Sequence, residues 1–229
     1  MNDERDNKKI PWLEAREEGL VLTDGEISLM GDFTKNIKRL QPENLNRELI
    51  VKAAKKGLEK NQEKLPLALD CTAGLGEDSI LIAAAGFRVR MYEYNFVIAA
   101  LLRDALDRGM KDERITHIVS RMELVEGDSI KAMEEMAEKK KGEVEIPDII
   151  LLDPMFPERQ KSGLVKKKFQ LLQRLEAPAR DEETLLDSAI KVGPRKILIK
   201  RPIKGPYLSE IRPSYSLEGS VIRIDCIVR

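Results

Sequence analysis

Five polar residues of this chain share one kind of position. Asp70, Glu93, Asp128, Asp153 and Lys200 each stand at or just past the end of a short apolar run of the sort that forms a buried strand. In an open α/β sheet, ligands bind in the crevice beyond the carboxyl ends of the strands. The coincidence therefore points to one site assembled from five elements. After the first acid comes Cys71-Thr72-Ala73-Gly74-Leu75-Gly76, a small-residue turn. Glycines suit such a turn because a Cβ would keep the backbone from closing on a ligand. Asp153 is followed by Pro154-Met155-Phe156-Pro157. A carboxylate and the Pro154 carbonyl, stiffened by prolines, can accept hydrogen bonds from an amine and orient its lone pair. Phe156 can stack on a planar base. The plainer reading is a rigid strand end with Phe156 in the core.

The elements that carry these residues follow from the apolar pattern. Leu67 to Asn95 reads as a strand, a glycine turn, a helix and a second strand ending at Glu93, the first half of a nucleotide-binding βαβ unit. Glu93 falls roughly 20 residues past the glycines, where an acid binds ribose hydroxyls. A dinucleotide fingerprint needs a third glycine, and Ser79 stands in its place. The pattern Asp70-x-x-x-Gly74-x-Gly76 sets a carboxylate before the glycines, which suits a sulfonium and an amino group better than a pyrophosphate. S-adenosylmethionine is the expected cofactor, contacted by Asp70, Gly74, Gly76 and Glu93. A nicotinamide or other nucleotide, and a tight connection with no ligand, are the alternatives.

Around this unit the chain reads as α/β. Residues 1–19 are charged and suggest an exposed arm or short helix, and Asp24-Gly25 between apolar runs signals a hairpin. A helix from Leu45, with Leu49, Ala53 and Leu58 on one face, should pack beside the first strand of the sheet. Asn95 should cap a helix with Phe96, Ala99, Ala100 and Leu106 inward, ended by Arg108-Gly109. Met122–Glu126 is a third strand; Asp128 after it is either an N-cap or an acceptor for an adenine amino group. Ile149–Leu152, apolar throughout, should lie at the buried centre of a parallel sheet. A helix from near Asp181, a strand Lys196–Lys200 and an edge hairpin over Ser214–Val228 complete the reading. The expectation is an N-terminal arm and hairpin over 1–43 and a Rossmann-like domain over 44–229, with a seven-stranded, mostly parallel sheet.

Whole-chain properties narrow the classes. The 229 residues carry 40 Lys and Arg against 40 Asp and Glu, so bulk charge does not mark a nucleic-acid binder. The charge is segregated, however: 159–175 and 191–209 hold no acid. Lys161, Lys166, Lys167 and Lys168 in the first stretch, with Lys200 and Arg201 in the second, are candidate phosphate contacts; a charge run is also what a solvated helix face looks like. His117, the single histidine, reads as surface. Cys71 and Cys226 read as free thiols in a reducing cytoplasm, and no metal-ligand spacing is present. No apolar run approaches the roughly 18 residues of a membrane span, and the polar start resembles no signal peptide. A cytoplasmic protein with no membrane or metal partner is expected.

Three stretches, DCTAGLGEDSILIAAAGFRVRMYEYNFVIAALLRDALDRG, LLDPMFPERQKSGLVKKK and ILIKRP, closely resemble the ribosomal small subunit methyltransferase J family. The resemblance implies a class I methyltransferase fold and SAM-dependent methylation of a guanine N2 in small-subunit ribosomal RNA. It implies cofactor contacts at Glu77, Asp78, Glu93, Tyr94, Asp128, Ser129 and Asp153. Asp153, Pro154 and Phe156 would hold the acceptor amine and base, and the partner would be ribosomal RNA or the small subunit. The family often has Arg where Glu77 and Tyr94 stand and Ser where Asp128 stands, and its basic, glycine-rich segment is replaced here by residues 36–47. An amine methyltransferase for DNA or protein, a dehydrogenase and a non-catalytic assembly factor are the rival readings.

Overall fold

Two tight turns shape the start of the chain. The computed structural model describes residues 10–58, 64–139, 142–154, 171 and 182–229. In it β1 (Trp12–Arg16) pairs antiparallel with β2 (Gly19–Thr23), and β2 with β3 (Ser28–Leu29). The hairpin expected at Asp24-Gly25 is present, with the Asp24 carboxylate accepting the Glu26 and Ile27 amides and Gly25 at φ +89°. The arm or helix expected before it is instead a strand from Trp12 onward. Pairing satisfies the edge of β2, and Leu13 joins the apolar cluster of Leu22, Leu29 and Leu101.

The main sheet follows. It comprises β4 (Leu67–Asp70), β5 (Arg88–Glu93), β6 (Met122–Glu126), β7 (Ile149–Leu152), β8 (Lys196–Pro202), β9 (Tyr215–Glu218) and β10 (Ile222–Val228). Their order is β6-β5-β4-β7-β8-β10-β9; the first five are parallel, and β10 runs antiparallel to both neighbours. This is the class I methyltransferase arrangement, with β7 at its centre as its unbroken apolar sequence requires. The connections step outward from β4 to β6 and then return to β7 on the other side of β4. A switch point therefore opens between β4 and β7.

Helices cover both faces. In chain order they are α1 (Ile37–Leu40), α2 (Pro42–Leu45), α3 (Leu49–Lys55), α4 (Glu77–Ala84), α5 (Phe96–Lys111), α6 (Thr116–Val119), α7 (Ser129–Glu138) and α8 (Glu182–Val192). Strand alternation divides the core into two layers. Ile149 and Leu151 of β7 share one apolar cluster with Ile80, Leu81 and Leu102, while Ile150 and Leu152 share another with Met133, Leu185 and Leu186.

Three details depart from expectation. The helix expected from Leu45 does not start there: Leu45 ends α2, and after the extended Glu48 the chain restarts as α3, which packs on α4 and the β8–β10–β9 edge rather than beside β4. The buried Lys196 fixes it there, its ammonium donating to the Ala53 carbonyl at 2.8 Å and to that of Lys56. Asn95 caps α5 by accepting the Val97 and Ile98 amides, but Phe96 is 78% exposed; Ala99 is buried and Leu106 packs on the core as expected, and Ile98, Leu101, Leu102 and Ala105 complete the inward face. Finally, α5 runs through Gly109 to Lys111. A Cβ at 109 would stand 3.0 Å from Val119 Cγ2, so this glycine admits α6 rather than ending the helix.

Candidate active site

The glycine turn is stitched to the two strands that flank β4 and to α7. Cys71 N–H donates to the Leu151 carbonyl at 3.0 Å, Ala73 N–H to that of Tyr92 at 3.2 Å, and Gly74 N–H to Glu93 Oε2 at 2.9 Å. Ser129 Oγ donates to the Cys71 carbonyl at 2.9 Å, and Asp153 N–H to Thr72 Oγ1 at 2.7 Å. The ends of β4, β5 and β7 and the start of α7 thus converge on one turn, as the strand-end positions predict. Gly74 at φ +55° and Gly76 at φ +74° take backbone conformations that L side chains avoid. A Cβ on Gly74 would meet no atom within 4 Å, so this side of the turn faces open space, whereas one on Gly76 would stand 2.9 Å from Leu102 Cδ1.

Asp70 is placed differently from its expected role. It is 4% exposed, with Oδ1 accepting the Thr72 amide at 3.1 Å and Oδ2 the Ser79 hydroxyl at 2.6 Å. Those bonds explain why a serine stands at the third glycine position. Asp70 holds the turn from beneath instead of meeting a ligand. Burial raises its carboxyl to about 6, against the opposing hydrogen bonds from Ser79 and Thr72 and with help from the charges of Asp78 and Asp153. Ser129 is likewise buried and holds the turn through its hydroxyl.

The remaining candidates line the surface of the same region. Glu93 receives Gly74 N–H on one oxygen and Asn95 N–H at 2.8 Å on the other. Tyr94, 60% exposed, projects from the end of β5. Asp128 is the N-cap of α7, accepting the Ile130 amide at 2.8 Å, so capping is its observed role. Glu77 is exposed at the first turn of α4 and Asp78 is half-buried beside it.

Two cations of the second basic stretch are turned inward rather than toward a phosphate. Lys200 is 18% exposed, and its ammonium sits 3.0 Å from Asp153 Oδ2 while also pairing with Asp78 Oδ2. Burial lowers its basicity, but the two carboxylates outweigh this and hold the ammonium above its ordinary range. Arg201, on the opposite face of β8, is 1% exposed; it donates to the Pro206 carbonyl at 3.1 Å and pairs with Glu182 at 3.4 Å. Cations on a strand covered on both faces must find internal partners, and Lys196, Lys200 and Arg201 all do. Both residues proposed as phosphate contacts in this stretch are therefore reassigned. Phe156, Lys161, Lys166, Lys167 and Lys168 lie outside the described residues.

Sequence reasoning missed two contributors. Buried Arg223 in β10 pairs with Asp225 at 2.9 Å and donates to the carbonyls of Pro202, Ile203 and Gly205, holding the loop at the carboxyl end of β8. The signal was a pair of charges at alternate positions of an otherwise apolar strand. The second is Arg39, bonded through Nε and Nη2 to both Glu48 oxygens. With Glu77, Asp78 and Lys200 this pair borders a cleft of about 140 Å³ at the α4 side of the site. A larger hollow of about 440 Å³ lies at the other end of the sheet, near Ala84, His117 and Arg121, so size alone does not mark the site. Among the described residues no cluster of His, Cys, Asp or Glu is arranged to hold a metal, and no helix is long and apolar enough to cross a membrane. Cys71 and Cys226 are both buried, unbridged thiols.

Comparison with known proteins bears on this geometry. A family model described as "Putative SAM-dependent methyltransferase" matches residues 3–229. A protein named ribosomal RNA small subunit methyltransferase J from Stutzerimonas stutzeri is 41% identical over 160 residues, 70% of this chain and 60% of that protein. One of the same name from Pseudomonas syringae is 39% identical over 164 residues, 72% of this chain and 59% of that one. The match thus spans about 60% of the length of these relatives. The crystal structure of a SAM-dependent methyltransferase from Neisseria gonorrhoeae superposes with a TM-score of 0.74 at 27% identity, covering 98% of this chain and 85% of that one.

Proposed function

Because the chain belongs to the SAM-dependent methyltransferase family, we propose that it methylates the exocyclic N2 of a guanine in small-subunit ribosomal RNA. The observation that carries the chemistry is the seating of Asp153. Its backbone is tied to the glycine turn through Thr72 and its carboxylate to Lys200, at the switch point where a cofactor and an acceptor can meet. The similarity to proteins named for ribosomal RNA methylation supports the substrate class. A ribosomal substrate would go with a cytoplasmic location.

The residues present fit S-adenosylmethionine, which supplies a methyl group on a sulfonium. Gly74 leaves the turn open to a ligand, Glu93 stands where ribose hydroxyls would bind, and exposed Tyr94 offers a ring at the mouth of the site. Glu77, Asp78, Asp128 and Asp153 surround that space with negative charge, which favours a cationic ligand.

An exocyclic amine lends its lone pair to the ring and is a poor nucleophile. Hydrogen bonds from it to the Asp153 carboxylate and the Pro154 carbonyl would turn the lone pair toward the methyl group and stabilise positive charge arriving on nitrogen. The sulfonium would supply the methyl group, its C–S bond breaking as the N–C bond formed, and the nitrogen would lose one proton to solvent. Phe156, by sequence position, would stack on the base. Incubation with labelled SAM and unmethylated small subunits, naked RNA or DNA, followed by nucleoside analysis, tests the proposal. Label in N2-methylguanosine is expected. Label in another nucleoside, in DNA or in protein would replace the acceptor, and no label in any of them would remove the enzymatic reading.

A further inference from the structure

Lys200 was expected to meet phosphate, yet its charge is directed inward. We propose that Lys200 is a positioning residue for methyl transfer, clamping the Asp153 carboxylate in the orientation that receives the acceptor amine and tying it to Asp78 on the cofactor side. The inference rests on the role given above to Asp153.

The placement follows from strand register. Leu152 of β7 lies opposite Ile199 of β8, so the next residue on each strand, Asp153 and Lys200, also come together. Lys200 Nζ stands 3.0 Å from Asp153 Oδ2 and pairs with Asp78 in the first turn of α4. One ammonium therefore bridges the helix that follows the glycine turn and the loop that would hold the amine. With Oδ2 drawn to Lys200 and the backbone N–H held by Thr72, rotation of the carboxylate is restricted. A hydrogen-bond acceptor fixed before the reaction costs no reorganisation during it.

The charges around Lys200 show why a cation is needed. Asp78 and Glu77 face it from α4 and Asp153 from the end of β7, while Glu48 and Arg39 border the same cleft. The Arg39 guanidinium is bonded to both oxygens of Glu48, so the one other cation bordering this cleft among the described residues is committed elsewhere. Beneath them the Asp70 carboxyl is raised partly by the charges of Asp78 and Asp153. Without Lys200, Asp78 and Asp153 would be near neighbours of like charge, and one would take up a proton more readily. A protonated Asp153 could donate to the amine instead of accepting from it, and the lone pair would no longer be aimed.

The test compares wild type with Lys200→Met and Lys200→Arg. Turnover is measured with labelled SAM and the acceptor identified by nucleoside analysis; SAM affinity is measured by calorimetry. Expected for Lys200→Met is a fall in kcat of about 100-fold, with SAM affinity changed far less. The acid limb of its kcat–pH profile should move up by about one pH unit. Lys200→Arg, which keeps the charge, should restore the acid limb and part of kcat. An unmoved acid limb with no rescue by arginine would reduce Lys200 to a packing residue and overturn the proposal, as would a kcat near wild type. A second readout needs no acceptor: the Asp153 carboxyl carbon, assigned by its loss in Asp153→Asn, is titrated by NMR. Its titration should lie higher in Lys200→Met than in wild type. No change there refutes the clamp even if the wild type methylates nothing, whereas a raised titration with an inactive wild type would leave the clamp standing and remove the proposed function.

Discussion

Replacing Asp70 by asparagine should stabilise the ligand-free protein at neutral pH and leave it nearly unchanged in acid. The folded carboxyl is raised from 3.8 to about 6, chiefly by burial, with the hydrogen bonds from Ser79 and Thr72 offsetting only part of the cost. The sign follows from proton counting. Below about pH 4 the group is protonated in both states and contributes nothing. Between about pH 4 and 6 the unfolded chain ionises while the folded one keeps its proton, so stability falls as pH rises. Above pH 6 the full penalty applies, about 3 kcal/mol at about 1.4 kcal/mol for each pH unit. Asparagine is neutral throughout and can still accept the Thr72 amide. For a chain of this length about 3 kcal/mol corresponds to roughly 6–12 °C in melting temperature. Differential scanning calorimetry of both proteins from pH 4 to 8 measures the difference. A gap that opens as pH rises through 4 to 6 is expected. A gap constant across that range would refute the assignment of Asp70 as a buried carboxyl that ionises at a cost.

The two glycines of the turn should respond differently to alanine. Gly76→Ala adds a methyl 2.9 Å from Leu102 and 3.2 Å from Phe33 at φ +74°, and should cost about 2–4 kcal/mol in urea unfolding. Gly74→Ala, with open space around its Cβ, should cost only about 1 kcal/mol of stability but weaken SAM binding about tenfold or more by calorimetry. Asp153→Ala should lower methyl transfer by about 100-fold or more while the protein still binds SAM; wild-type turnover in that variant would sink the site. Arg223→Met leaves Asp225 buried without its ion-pair partner and should cost about 3–5 kcal/mol in denaturant unfolding, with much of it recovered by the double change Arg223→Met, Asp225→Leu.

Much of the main sheet was legible because its strands are short, apolar and regularly followed by a turn or cap. Ile149–Leu152 had to be central, and Asn95 and Asp128 announced their helices. The N-terminal segment was harder. Trp12–Arg16 mixes charges with apolar residues and becomes a strand because β2 offers it an edge, which local sequence does not reveal. The Phe33–Leu45 segment forms three short helical pieces whose order comes from packing on α4 and α5, not from periodicity.

The charged residues show where strand-end reasoning succeeds and where it misleads. At the end of a parallel strand a polar side chain can reach the crevice, so Glu93 and Asp153 are proposed from position alone. Where the side chain is enclosed, the same chemistry has no water to meet. Asp70 closes on its own turn through Ser79, and Lys196 and Arg201 are used up by carbonyls and a carboxylate. Lys200 lies at the boundary between these regimes, deep enough to need partners and near enough to the crevice that its partners belong to the site. An acid-free run such as 191–209 therefore carries little information about phosphate when a strand crosses it. Its lysines and arginines are counted against partly buried acids brought from distant parts of the chain, here Asp78, Asp153 and Glu182, and only the exposed remainder, such as Lys191 and Lys204, is left to meet a phosphate.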